Sequence, residues 1–288
     1  MKPAIDLTDP AVQAFIHVYR QRCERAFQAA TPLEESVCPI YAIVDGDRLP
    51  THIGSCVILS IGDHVFLLSA AHVFEPIGQF AVLVGKGQQL HSLVGDRFSS
   101  ARGPSNSHSD DNIDAAVFHI LEDVPPEIRS AALPLSSIDL FPFAGEHEVH
   151  VVIGYRTSAS TRLRRELKSK REKYPSCEPE EEEYLRHSIR RDTHLALTFE
   201  NEVLTHGRWQ SAPSLHGLSG GAIIRVGGLF KDPKKDCASV PAPCLTAIVT
   251  ERRPKKNEGF PVLVGSRIWF HIGLIERYLP GLIKESLG

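Results

Sequence analysis

Short runs of apolar and β-branched residues follow one another between residues 38 and 270, and they limit the folds open to this chain. Examples are GSCVILSI, IDAAVFHI and GGAIIRV, and Gly, Pro, Asp and Ser cluster between consecutive runs. Short strands separated by turn residues are typical of all-β sandwiches and barrels, whereas alternating β-α units need helical segments between the strands. We therefore expect an all-β fold.

Segments with helical spacing flank this strand-rich region. Near the N-terminus, TDPAVQAFIHVYRQRCERAF predicts an amphipathic helix opened by Thr8 or Asp9, with Pro10 at its first position. Apolar residues recur at helical spacing in FHIGLIERYLPGLI, which predicts a closing helix. No secretory signal and no apolar run of bilayer length is recognisable, so neither export nor membrane insertion is expected.

Residues 156–192 interrupt the strand pattern with a dense mixture of charges, including RLRRELKSKREKY and EPEEEEYLR. Pairs such as Arg162–Glu166 and Lys168–Glu172 are spaced one helical turn apart. We expect a solvated, partly helical insertion on a β scaffold. The alternative is an arm that binds a partner protein or regulates the chain.

Composition excludes several classes of partner. The formal net charge of -3 and the pI near 6.5 give no general attraction to nucleic acid or anionic membranes.

The cysteines and histidines do not predict a metal site. The six cysteines lack C-x-x-C spacing, so free thiols in a reducing, cytoplasmic compartment are expected and zinc is not. A metal site at His147 and His150 is disfavoured, because in a strand these side chains would face opposite sides. We expect no cofactor.

Three motifs carry side chains that can perform acyl-transfer chemistry together. Ser219 lies among glycines in SLHGLSGG, and a serine hydroxyl becomes a good nucleophile only beside a base such as histidine. His72 ends the run VFLLSAAHVF, and Asp114 begins a buried strand in DDNIDAAVFHI, where a carboxylate needs a hydrogen-bonded partner. Asp110 and Asp111 precede it in a polar loop and are expected to be solvated. Alone, each motif also fits a turn or a structural histidine.

Taken in order, L-S-A-A-H, I-D-A-A-V and G-L-S-G-G resemble the motifs of the trypsin-like serine proteases, L-T-A-A-H, D-I-A-L and G-x-S-G-G. The resemblance covers residues 38–282. It implies two six-stranded antiparallel β-barrels of the chymotrypsin-like type, with His72 and Asp114 in the first barrel and Ser219 in the second. The expected parts are an N-terminal helical extension (1–37), a first barrel (38–140) and a second barrel (141–288) with the charged insertion and closing helix.

The resemblance also implies a mechanism and assigns roles to these residues. A serine endopeptidase of this family would use Ser219 as nucleophile, His72 as general base and acid, and Asp114 to orient the imidazole, with an acyl-enzyme intermediate on protein substrates. The backbone amides of Gly217 and Ser219 would form the oxyanion hole. Glycine at 217 permits the backbone angles that point both amides into one pocket.

Departures from the family pattern narrow the comparison to its intracellular and bacterial branch. Leu218 stands where digestive relatives carry an aspartate, so activation by N-terminal cleavage is not expected. Val73 replaces a cysteine, and the family's extracellular disulfides are missing. No peptide-binding PDZ domain is expected after the closing helix. Control is expected from residues 1–37, residues 156–192 or a partner protein.

Specificity is less well defined by the sequence. Pro213 stands at the base of the expected primary pocket and brings no counter-charge for Arg or Lys, so a small or apolar side chain is expected at the cleavage site. Other candidate substrate-binding residues are Ser214, Val249, Thr250 and Gly265.

The alternative to an enzyme is a catalytically latent protease-fold module with a binding or regulatory role. Nucleic-acid binding by the basic loops KDPKKD (231–236) and ERRPKK (251–256) ranks lower, because the chain is net acidic and these loops lack interleaved aromatics.

Overall fold

The computed structural model describes residues 6, 8–43, 50–77, 81–87, 89–121, 123–140, 148–157, 161–163, 166–199, 202–205, 208–211, 215–227, 242–256 and 259–287. Strands dominate these residues. The strands are β1 (Val37–Ala42), β2 (Thr51–Ile61), β3 (His64–Ser69), β4 (Ala81–Lys86), β5 (Gln89–Ser99), β6 (Ala116–Ile120), β7 (Leu133–Pro134), β8 (Val149–Tyr155), β9 (Thr161–Leu163), β10 (Glu166–Lys168), β11 (Arg171–Cys177), β12 (His194–Thr198), β13 (Glu202–Thr205), β14 (Arg208–Ser211), β15 (Ala222–Val226), β16 (Cys244–Arg253) and β17 (Val262–Arg267). The helices are α1 (Pro10–Glu34), α2 (Ala71–Phe74), α3 (Pro126–Ser130), α4 (Glu181–Arg186), α5 (Ile268–Tyr278) and α6 (Leu282–Leu287).

The first sheet closes into a six-stranded antiparallel barrel. Its strands hydrogen-bond in the order β1, β4, β5, β6, β3 and β2, and β1 pairs back with β2. The short β7 adds to β2 in parallel. Closure removes the unpaired edges of the sheet. Apolar side chains fill the interior, including Ile40, Ile58, Leu67, Val84 and Phe118.

The second sheet is an antiparallel half-barrel of six strands, in the order β11, β8, β15, β16, β17 and β12. Its two edge strands approach each other, and Ser176 Oγ on β11 donates a hydrogen bond of 2.7 Å to the carbonyl of Thr198 on β12. Two barrel-like sheets with a helix at each end confirm the predicted fold class. The architecture is consistent with a chymotrypsin-like fold.

Another apolar cluster joins the two sheets. It combines side chains of the closed barrel with side chains of the half-barrel and of helices α1 and α5, among them Ala30, Leu59, Phe66, Val151, Ile224 and Ile272. Because these residues are buried, the sheets share one continuous core. At this seam between the sheets, the turn before β15 lies against β2 and the end of β3, since a Cβ on Gly220 would collide with Ser55 and Ser69.

The terminal helices form as the sequence predicted. Asp9 caps α1 by accepting a hydrogen bond of 2.7 Å from the amide of Ala11, and Pro10 takes the first helical position. Buried Ile272 and Ile275 dock α5 on the shared core. No helix among the described residues is both long and apolar enough to cross a bilayer.

The prediction for residues 156–192 was wrong in part. Residues 171–177 form β11, which pairs with β8 along its whole length, and the described helix in this segment is limited to Glu181–Arg186. Arg162 and Glu166 lie in the short β9–β10 hairpin rather than on one helix face. The charges of β11 are instead paired, since Glu172 accepts a hydrogen bond of 2.7 Å from Arg156.

Candidate active site

His72 lies where the chain leaves the first barrel. Strand β3 ends at Ser69, and the fully buried Ala70 and Ala71 lead into α2, where small side chains let the backbone pack against the barrel. The amide of His72 donates a hydrogen bond of 2.9 Å to Asp114 Oδ1. The imidazole keeps 34% of its side-chain surface exposed, so a reactant can reach the ring.

Asp114 meets the ring from the loop before β6. Its Oδ2 lies 2.6 Å from His72 Nδ1, its side chain is 12% exposed, and its carbonyl accepts a hydrogen bond of 3.2 Å from Ala71. A carboxylate only accepts hydrogen bonds, so the proton belongs on Nδ1 and the lone pair of Nε2 faces away from Asp114. The backbone of Asp114 is left-handed, with φ of 54°.

The protonation of His72 follows from competing effects. Burial lowers the pKa of His72, but the hydrogen bond and charge of Asp114 raise it, and the charges of Glu75 and Glu251 add to that rise. The net result is a pKa above the ordinary value of 6.5. A base of this kind holds an abstracted proton well.

Ser219 lies in a tight turn that is fixed to both barrels. Its carbonyl accepts a hydrogen bond of 2.8 Å from the amide of Ser55 on β2, and Gly220 donates one of 2.7 Å to Val249 on β16. Gly220 has φ of 83°, and a Cβ there would collide with the carbonyl oxygen of Ser55. The turn therefore needs glycine after the serine.

The Ser219 hydroxyl does not point at the histidine. Among the described residues its acceptor is the carbonyl oxygen of Thr250, at 2.9 Å. The structure thus brings His72 and Asp114 into direct contact. It holds Ser219 against Ser55 of β2, with the serine hydroxyl bonded to Thr250 rather than to His72.

Gly217 has the backbone that the expected oxyanion hole needs. Its φ is 89°, and a Cβ there would lie 2.6 Å from Thr157 Oγ1 and 2.7 Å from His52 Cε1. Its carbonyl accepts a hydrogen bond of 2.8 Å from Ser55 Oγ. Within the described part of the chain, the amides of Gly217 and Ser219 donate to no protein acceptor.

Leu218 anchors this turn through apolar contacts. It is fully buried, and it packs so closely on Gly154 that a Cβ there would lie 2.6 Å from Leu218 Cδ1. Its amide donates a hydrogen bond of 2.9 Å to the carbonyl of Leu215. Burial of the Leu218 side chain thus helps to fix the position of the turn.

The candidate specificity residues are placed unequally. Pro213 and Ser214 lie outside the described residues. Val249 and Thr250 are buried and contact the Ser219 turn through their carbonyls. Gly265 lies opposite Val249 in β17, where a Cβ would lie 2.6 Å from Ile223 Cδ1 in the barrel interior.

Sequence reasoning missed His52, which supports the turn from β2. Its Nε2 lies 2.8 Å from the carbonyl oxygen of Gly54, and burial lowers the pKa of His52 to about 4, so the ring is neutral near pH 7. It packs beside Tyr41, with ring centroids 5.5 Å apart. Nothing in T-H-I-G distinguishes this histidine from a solvated one.

Asp111 was expected to be solvated, and that prediction was wrong. Its side chain is 3% exposed, and it accepts hydrogen bonds of 2.9 Å from both the amide of Ile113 and His108 Nδ1. Asp110 behaves as expected, with an exposed side chain bonded to Ser105. The available signal was Asp111 itself, since an aspartate often accepts a hydrogen bond from the amide two residues on, here that of Ile113.

No described group of three His, Cys, Asp or Glu side chains is arranged to hold a metal ion. Comparison with known proteins adds no assignment, because no protein-family model matches the sequence and no curated protein is significantly similar to it.

Proposed function

We propose that the chain is a serine endopeptidase of the trypsin-like type, acting through His72, Asp114 and Ser219. The observation that carries this proposal is the doubly hydrogen-bonded His72–Asp114 pair beside a serine turn bonded to the same barrel. A histidine oriented by a buried carboxylate near a serine is the arrangement by which hydroxyl nucleophiles are activated.

The chemistry would begin with rotation of the Ser219 side chain from Thr250 toward His72 Nε2. Oγ then adds to the substrate carbonyl while its proton moves to Nε2, and the oxyanion is bound by the amides of Gly217 and Ser219. His72 returns that proton to the leaving amine as the peptide bond breaks, which leaves an acyl-enzyme. Water, deprotonated by His72, hydrolyses the ester and restores the serine.

Strand β16 supports an extended peptide as the substrate. Strand β15 pairs with residues 244–248 of β16, whereas Glu251–Arg253 pair on one side with β17. Strand β15 does not continue along this end of β16, so a peptide backbone can add beside Glu251 as a further strand. A small or apolar residue at the cleavage site remains the expectation from Pro213.

The first test is covalent labelling of the purified chain with a fluorophosphonate, read by intact mass. The proposal expects one adduct on the wild type, none on Ser219→Ala, and strongly slowed labelling of His72→Ala. Ser130→Ala, which changes an exposed serine on α3, is the matched control and should label normally. Labelling of the wild type that persists in Ser219→Ala would refute the proposal.

A second candidate is a latent protease-fold module that binds or regulates a partner. The bond from Ser219 Oγ to Thr250 favours it, since the hydroxyl is not engaged with the base in this structure. An unlabelled wild type that binds peptides along β16 would support this candidate, and loss of that binding on Glu251→Pro would locate it.

Regulation is proposed to come from α1, residues 156–192 or a partner protein. Since β11 is part of the second sheet, a deletion of the whole charged segment would damage the fold. Replacing only the β9–β10 hairpin with a short Gly-Ser turn is the sharper test, and unchanged labelling and peptide cleavage would argue against a role for the hairpin. We also propose a reducing, cytoplasmic setting, in which Cys38 and Cys56, opposite each other on paired strands, would stay free thiols.

A further inference from the structure

Asp111 is a buried carboxylate that the mechanism above does not use. Besides the amide of Ile113 and His108 Nδ1, it accepts a hydrogen bond from Ser100 Oγ. These donors come from the loop before β6 and from the end of β5. Burial raises the pKa of Asp111, but the hydrogen bonds from Ser100, Ile113 and His108 outweigh it and lower the pKa below its ordinary value. The group is therefore an anion held by several donors at neutral pH.

The hydrogen bonds of Asp111 and Ser100 enclose Asp114 on both sides. Ile113, just before Asp114, is fixed to Asp111, and Ala115, just after it, donates a hydrogen bond of 3.0 Å to Ser100 Oγ. The amide of Ser100 donates another of 2.8 Å to the carbonyl of Ala115. A left-handed conformation at a residue other than glycine persists only where its surroundings fix it, and here the fixing bonds meet at Asp111.

The same cluster is bonded to the helix that carries His72. Glu75 follows α2 directly, and its carboxylate accepts hydrogen bonds from the amide of His108 at 2.8 Å and from Ser107 Oγ at 3.1 Å. His108 in turn donates to Asp111. A closed path of bonds thus runs from His72 through Glu75, His108 and Asp111 to Asp114 and back.

We propose that Asp111 is a positioning residue that fixes the left-handed turn at Asp114 and so holds the Asp114 carboxylate on His72 Nδ1. The inference rests on the proposed function for its catalytic meaning, although the geometry it concerns exists with or without activity. Without Asp111, Asp114 would relax toward a right-handed backbone and its carboxylate would swing away from the ring. His72 would then lose the contact that keeps its proton on Nδ1.

The test compares Asp111→Ala and Asp111→Asn with Asp110→Ala, a matched change at the exposed neighbouring aspartate. Two-bond ¹H–¹⁵N spectra of the full chain, labelled in histidine, report which nitrogen of neutral His72 carries the proton. We expect protonated Nδ1 in the wild type and Asp110→Ala, and a shift of the population toward protonated Nε2 in Asp111→Ala. Asn keeps an acceptor for the amide of Ile113, so Asp111→Asn should be intermediate.

Fluorophosphonate labelling is the second readout, with the rate of Asp111→Ala expected to fall by about 10²-fold because the base is displaced. A folded Asp111→Ala that keeps the wild-type tautomer of His72 would overturn the inference. If Asp111→Ala does not fold, Asp111→Asn decides, and a wild-type tautomer population there together with a wild-type labelling rate would overturn it. A wild type that does not label refutes the proposed function alone, since the tautomer comparison still tests the positioning role.

Discussion

His72 receives one hydrogen-bond acceptor at its amide and another at its ring, both from the same carboxylate. That pairing, with Glu75 and Glu251 nearby, raises the pKa of His72 despite the opposing effect of burial. Only neutral imidazole can accept the Ser219 proton. We therefore predict that the fluorophosphonate labelling rate rises with pH, with a midpoint above the ordinary histidine value of about 6.5.

Asp114→Asn should lower that midpoint and slow labelling by about 10²–10⁴-fold, because the variant removes both the charge and the orienting acceptor. Asp110→Asn, on the exposed side of the same loop, should leave the profile unchanged. The measurement is the labelling rate from pH 5 to 9 at constant ionic strength. A midpoint that stays in place in Asp114→Asn would show that Asp114 does not govern the ring.

Gly217 gives a second prediction at the scale of one residue. Gly217→Ala places a Cβ against Thr157 and His52 on a left-handed backbone, so it should cost about 1–3 kcal/mol of unfolding free energy and abolish most labelling. Gly273→Ala is the control, since a Cβ there meets open space on α5 and should stabilise the helix by about 1 kcal/mol. Urea unfolding and labelling of both variants check this. Normal labelling of Gly217→Ala would contradict the proposed role of Gly217 in the oxyanion hole.

Sequence reasoning singled out His72, Asp114 and Ser219 because each lies in a short local motif, and the structure brings the first two into contact. It did not find Asp111 or His52, whose importance comes from contacts with residues that are distant or differently oriented. Asp111 looked solvated because its neighbours are polar, yet its donors include Ser100 at the end of another strand. Side-chain burial at loops depends on packing that no local pattern encodes.

At the scale of elements, α1 is joined to the second barrel by charges as well as by its apolar face. Glu34 is 7% exposed and lies 2.6 Å from Lys173 and 3.3 Å from Arg171, both on β11. Glu34→Gln leaves these cations with a weaker acceptor, so it should lower the unfolding free energy by about 1–3 kcal/mol.

Glu35→Gln is the matched control for this helix contact. Glu35 also pairs with Arg171, but its side chain is 65% exposed, so its loss should cost less than about 1 kcal/mol. Urea unfolding at pH 7 and low salt measures both variants. Equal losses would show that burial of Glu34 adds nothing to the attachment of α1.

The charged segment shows why its strand was not predicted. Arg171 and Lys173 repeat with the period of a strand, but surrounding charges also fit helical pairing, and their carboxylates come from the remote Glu34 and Glu35. All seven residues of β11 are half-buried, which leaves no contrast between an apolar and a polar face. By comparison, α1 carried a complete start signal in Asp9 and Pro10 and was predicted correctly.

For the whole molecule, the recurring apolar strands were enough to predict an all-β fold, whereas the division into two barrels was implied by the resemblance of the three motifs. The closing of the first sheet and the open arrangement of the second depend on strand pairings far apart in sequence, such as β1 with β4. The fold buries several histidines, and three of them lie on separate elements. The three are His52 on β2, His150 on β8 and His271 on α5. The Nε2 of His271 lies 3.0 Å from the carbonyl oxygen of Ser69.

Burial lowers the pKa of each of these three histidines to about 4, so the folded chain keeps them neutral while the unfolded chain protonates them below about pH 6.5. Above about pH 6.5, each histidine makes its full contribution to the free energy of unfolding. As the pH falls toward 4, that contribution is lost at up to about 1.4 kcal/mol per pH unit for each histidine. The pKa of His72 is raised, so protonation of His72 favours the folded chain and offsets only part of this loss of stability. Urea unfolding between pH 5 and 6.5 should therefore give a slope that His271→Gln reduces by about one histidine's share and the exposed His17→Gln does not. An unchanged slope in His271→Gln would mean that His271 is protonated in the folded chain.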